Sequence, residues 1–186
     1  MEKVTGTDPT IEVFENDIEL FLNEYKKQER IEDYKQVGQS IWNSALRYIY
    51  INVFKPNKDI LKSKSRIITS ENNIPSNYNA YNYELLNDIC DYYIYNMCMR
   101  YNKEVSILGF TTLIGIDQSV IYDWGNNSTK LSSSSANIYK KLNYFREESL
   151  SNKLADGKQN PVGVIAILNK HYGWNMPGVS RETASK

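Results

Sequence analysis

Residues 107–124 read Ile107-Leu108-Gly109-Phe110-Thr111-Thr112-Leu113-Ile114-Gly115-Ile116-Asp117-Gln118-Ser119-Val120-Ile121-Tyr122-Asp123-Trp124. The stretch fits two short helices joined at Gly115, because a chain that reverses sharply between helices needs a residue tolerant of positive φ at the turn. Phe110, Ile114, Ile116, Ile121 and Trp124 fall where the two helices would face each other, and Asp117, just past the turn, suits the N-cap of the second. This is the pattern of a helix-turn-helix. Placed in a DNA major groove, the second helix would present Gln118, Ser119 and Tyr122 to base edges, with Asp123 beside them. Glutamine pairs bidentately with adenine, and Ser and Tyr hydroxyls reach bases or phosphates. The helix carries no Lys or Arg, so phosphate contacts would come from Lys103 before it and from Lys130, Lys140 and Lys141 after it. The same pattern also serves as a helical corner used for packing or for a protein partner.

Working outward, helical periodicity dominates. Asp8-Pro9 predicts an N-cap with proline at N1, and Ile11, Phe14, Ile18, Phe21, Leu22 and Tyr25 then recur every three or four residues, to about residue 35. Gly38 breaks the run, Ser40 can cap a second helix, and Ile41, Ala45, Tyr48, Ile49 and Val53 line one face of it up to Pro56. Two helices this close should pack together. Residues 72–83 are rich in Asn and Ser and read as an inter-lobe linker. From Glu84 the period returns, with Leu86, Ile89, Cys90, Tyr93, Met97 and Tyr101 as a core stripe. Beyond the central motif, Ser132 to Ser135 can cap a helix bearing Ile138, Leu142, Phe145, Leu150 and Leu154, closed by Gly157. Asn160-Pro161 opens a last helix ending near Gly173, with Trp174 and Met176 as a hydrophobic plug. The predicted fold class is all-α: an N-terminal helical lobe (1–70), a polar linker (71–83), a C-terminal helix-turn-helix domain with two trailing helices (84–177), and a flexible tail (178–186).

Composition narrows the function classes. The 186 residues are 41% hydrophobic and 24% charged, and no run of 18 apolar residues is present to span a membrane. The first residues lack the apolar stretch and cleavage site of a secretory signal, so the expected location is the host cytosol. The 22 basic and 22 acidic residues cancel, which argues against a protein that coats nucleic acid through bulk charge. The distribution is uneven: residues 51–70 hold 5 basic groups and 1 acidic, and residues 106–186 hold 9 and 6. Lys58, Lys62, Lys64 and Arg66 therefore form a secondary basic segment that could contact nucleic acid or simply be solvated.

A catalytic constellation is missing. With one histidine, two cysteines and no Gly-rich phosphate loop, hydrolase triads, zinc sites and P-loops each lack a component, so the expectation is a non-enzymatic protein with no cofactor and no metal. Cys90 and Cys98, eight residues apart, read as buried thiols on a core face. Asp88 and Asp91 lie one turn apart and could hold a metal ion, but paired acids on a helix face are more often solvated. His171 stands at a helix C-terminus, where the dipole favours a protonated imidazole and a capping role.

Two stretches carry a family resemblance: Val105-Ser106-Ile107-Leu108-Gly109-Phe110-Thr111-Thr112-Leu113-Ile114-Gly115-Ile116, and Gly163-Val164-Ile165-Ala166-Ile167-Leu168-Asn169-Lys170-His171-Tyr172-Gly173-Trp174. Their order resembles the small terminase subunit of tailed phages, the helix-turn-helix family of DNA packaging, over residues 84–177. The resemblance implies a bacteriophage or prophage protein that recognises a packaging site on double-stranded DNA. It further implies a homo-oligomeric ring that delivers that DNA to the large, ATP-cleaving terminase subunit. DNA contact would fall on Gln118, Ser119 and Tyr122, and Leu168 to Trp174 would serve structure or assembly. The first 80 residues lie outside the resemblance, which leaves open a transcriptional repressor, or an anti-CRISPR inhibitor that binds a CRISPR effector nucleoprotein.

Overall fold

The computed structural model describes residues 9–62, 81–126, 133–157 and 160–174, and among these it contains seven α-helices and no strand. None of those helices is long and apolar enough to cross a membrane.

Helix α1 (Pro9–Gln28) buries Phe14, Ile18 and Leu22, four residues apart, so one stripe faces the core. It stops well before residue 35. Arg30 takes a positive φ of 53°, and the Asp33 carboxylate accepts from the Lys35 amide at 2.9 Å, starting a separate 3₁₀ turn at Tyr34–Gln36. A short acidic side chain that bonds its own backbone competes with helix continuation. Tyr34 is buried in that turn and donates its hydroxyl to the Leu22 carbonyl at 2.8 Å, fastening the turn to α1.

Helix α2 (Gln39–Ile49) starts two residues earlier than a Ser40 cap requires; Gly38 is the N-cap and supplies no side-chain bond. It buries Trp42, Ala45, Leu46 and Ile49, packs against α1, and widens into a π-helical turn at Tyr50–Phe54, where the Lys55 amide donates to Tyr50 at 2.8 Å. Phe54 stacks on Phe14 with ring centroids 5.4 Å apart.

The flanks of the expected linker meet. Lys62 and Tyr81 form an antiparallel bridge, and the Asn82 amide donates to Leu61 at 2.9 Å. The two flanks therefore lie side by side; linker residues 71–80 themselves lie outside the described residues. Asn82 caps α3 (Tyr83–Asp91) by accepting from the Leu85 amide at 3.3 Å, and the helix continues as a π-helix from Tyr92 to Met99. Leu86, Ile89, Cys90, Tyr93 and Met97 are buried, as their spacing predicts.

Helices α4 (Ile107–Ile114), α5 (Gln118–Asn126), α6 (Ser133–Ala155) and α7 (Pro161–Tyr172) complete the chain. Asn160 caps α7 by accepting from the Val162 amide at 3.0 Å, and Gly173 closes it at φ 69°, both as expected. Trp174 packs on a small cluster of Leu150, Val164 and Leu168 and donates its indole N–H to Glu147 at 2.7 Å; Met176 lies outside the described residues. Every helix from α1 to α6 contributes to one continuous core running from Phe14 to Leu142. The N-terminal helices and the helix-turn-helix thus share an interior: Trp42 of α2 lies 5.6 Å from the ring of Tyr101, and Tyr34 lies 5.3 Å from it.

Candidate nucleic-acid interface

Helix α4 begins at Ser106, whose hydroxyl accepts from the Gly109 amide at 2.9 Å, and ends at Gly115 in the left-handed region (φ 74°, ψ 20°). The Gly115 amide closes the last turn on Thr111 at 2.8 Å. Two residues on, Asp117 accepts from both the amide (2.8 Å) and the hydroxyl (2.7 Å) of Ser119, the bonds of an N-cap for α5. Those hydrogen bonds hold the Asp117 carboxyl below the usual carboxylate range. Phe110, Ile114, Ile116, Ile121 and Trp124 are all buried, as the helix-turn-helix pattern requires. Trp124 meets Tyr83 and Tyr81 edge to face at 5.3 and 5.8 Å, and Phe110 meets Tyr93 at 5.7 Å. The orientation of α5 is therefore fixed from its buried side, mostly by aromatic contacts.

Its outer side is free. Ser119, Tyr122 and Asp123 are exposed and Gln118 is half-exposed. Tyr122 meets Tyr139 of α6 edge to face, ring centroids 6.2 Å apart, and remains exposed. Ser119 donates its proton to Asp117, so toward a ligand it can only accept. Among the described residues no hydrogen bond engages the Gln118 side chain, whose amide suits an adenine edge.

The cations expected around α5 are placed unevenly. Lys140 is exposed on α6, one residue beyond Tyr139. Lys141 is not free: its ammonium sits 2.6 and 2.7 Å from the two Asp91 oxygens and 3.0 Å from Asn87, tying α6 to α3. The same bond takes up Asp91, one of the two acids considered for a metal. Among the described residues no group of three or more metal-binding side chains assembles. Lys103 is 6% exposed and donates to the Val37 carbonyl, so it is unavailable to phosphate; burial pushes its ammonium below the usual range. Lys130 lies outside the described residues. In the secondary basic segment Lys58 is exposed, Lys62 pairs with Asp59 at 2.9 Å, and Lys64 and Arg66 lie outside the described residues.

Cys90 and Cys98 are buried free thiols, and burial pushes both up, Cys98 to about 12. His171 is exposed in the last turn of α7.

One cation escaped the sequence analysis. Arg47 on α2 lies over the ring of Tyr50, 4.7 Å from its centroid, and that ring packs against Gly115 at the turn. In the sequence Arg47 is an ordinary helix-surface arginine; only the approach of α2 to α4 brings it beside the motif. Comparison with protein-family models, with curated proteins and with solved structures finds no match for this chain.

Proposed function

We propose that this protein binds double-stranded DNA through α5 and acts without catalysis, in the manner of a phage small terminase subunit: it selects viral DNA for packaging and hands it to a large terminase subunit. The observation that carries the reading is the pairing of a rigidly held inner face, Ile121 and Trp124, with an unobstructed outer face bearing Gln118, Ser119 and Tyr122. A helix that reads base edges needs both, since the side chains must be aimed before they meet the groove. The likeness of residues 105–116 and 163–174 to the terminase pattern supports the packaging role over transcriptional repression.

The test is native mass of the purified protein, alone and with a DNA duplex at low and moderate salt. A multi-subunit assembly that retains duplex, more weakly as salt rises, is the expected result. A second reading has one observation in its favour: with Lys141 and Lys103 engaged elsewhere, the α5 face is poor in cations. That suits a protein target, as for an anti-CRISPR inhibitor. A monomer that ignores duplex DNA selects it.

A further inference from the structure

Among the described residues two arginines lie over tyrosine rings, and they differ in what neutralises them. Arg100 lies over Tyr101 at 5.5 Å and is paired with Glu19 at 3.0 Å. Arg47 lies over Tyr50 at 4.7 Å, is exposed, and among the described residues has no carboxylate partner. The Tyr50 ring packs closely on Gly115 at the turn. Contact with that ring restrains the Arg47 guanidinium while the side chain stays exposed, and a guanidinium is suited to a bidentate phosphate contact.

Position gives this cation its meaning. Arg47 stands at the turn that leads into α5. At the other end of α5, Gly125 packs against the ring of Tyr139, and the next residue of α6 is the exposed Lys140. The nine residues of α5 carry no cation of their own, and the exposed cations nearest in the described structure are Arg47, beside the turn, and Lys140, one residue past the Tyr139 that touches Tyr122 and Gly125. A helix seated in the major groove is walled by the two phosphate backbones, so exposed cations on elements packed beside it are suited to meet phosphate.

We propose that Arg47 is a phosphodiester contact of the α5 interface, with Lys140 its counterpart at the far end. The charge that binds DNA is thus supplied by flanking helices while α5 supplies the base contacts. The inference rests on the DNA-binding reading above.

The experiment uses the full chain and a short mixed-sequence DNA duplex, with affinity measured across a salt series. Replacing a phosphate contact with a neutral residue lowers the slope of log K against log salt by about 0.9. Arg47→Gln and Lys140→Gln should each show that loss, the double variant about twice it, and Arg47→Lys should retain the slope. Arg100→Gln, stacked but already paired, should bind as the unaltered protein does. Duplex binding with an unchanged slope in Arg47→Gln overturns the Arg47 assignment and leaves the DNA reading standing. No duplex binding by the unaltered protein overturns both.

Discussion

The ring of Tyr50 occupies the space in which a β-carbon on Gly115 would stand: that carbon would fall 1.9 Å from Cε2 and 2.6 Å from Cζ. Glycine at 115 is required twice over, by a φ of 74° that L side chains rarely adopt and by an aromatic ring from α2. The turn of the helix-turn-helix and the packing of the N-terminal helices against it are one contact.

Gly115→Ala should therefore cost about 3 kcal/mol, combining roughly 1–2 kcal/mol for a left-handed L residue with a further 1–3 for displacing a packed ring. For a chain of this size that corresponds to a Tm lower by roughly 10 °C, read by circular dichroism. A Tm unchanged within roughly 2 °C would show that Tyr50 moves aside freely.

Gln118→Ala and Tyr122→Ala should weaken binding of the cognate duplex by roughly 1–3 kcal/mol each, about five- to hundredfold, with little change in Tm. Trp124→Ala should do the reverse, removing about 3–5 kcal/mol of stability because its ring is 3% exposed and touches Tyr81 and Tyr83. Unchanged duplex affinity in both outer-face variants would end the case for α5 as the reading helix.

Stability should fall steeply above about pH 10. Burial raises the pKa of Tyr34, Tyr92 and Tyr93 in the folded chain. The unfolded chain releases those protons near pH 10 while the folded chain keeps them, so rising pH favours the unfolded state. The contribution is fully present below about pH 10 and is lost as pH rises past it. Lys103 has the opposite sign: burial lowers its pKa, so its cost to folding is relieved as pH rises toward about 10.4. It is one group against these tyrosines and the buried thiols of Cys90 and Cys98, which burial also pushes up. Urea midpoints followed from about pH 7 to about pH 11 should begin to fall near about pH 8.5, where unfolded thiols ionise, and fall most steeply above about pH 10; a flat profile would mean that these groups are solvated.

Residues 81–186 expressed alone should not melt cooperatively. Removing α2 strips Trp42 from Tyr101 and Tyr50 from Gly115, exposing a core face that α4 cannot cover by itself. Loss of near-ultraviolet dichroism with retained helix content is the expected signature. A sharp transition would establish the C-terminal half as an independent unit.

What could be read from the chain was local. The turn at Gly115, the Asp117 cap, the buried set from Phe110 to Trp124 and the closure of α7 at Gly173 all depend on residues within a few positions of each other, and the structure has them. The widening of α2 and α3 into π-helix leaves no mark on an apolar stripe, because a five-residue hydrogen-bond step shifts the stripe only slightly. The long-range contacts were illegible. Lys141 lies 50 residues from Asp91, and nothing in either segment announces the register that pairs them. The same holds for Arg47, which becomes part of the candidate interface only through the stacking of α2 on α4.

The bridge between Lys62 and Tyr81 bears on how this protein can be altered. Because the two ends of the intervening chain lie side by side there, each doubling of the length between them costs only about 0.6 kcal/mol in closure entropy. A fluorophore tether spliced in between them is expected to leave the described helices in place. Tyr81 touches Trp124 on the buried side of α5, so such a reporter would sit one side chain from that helix and would register shifts in its packing.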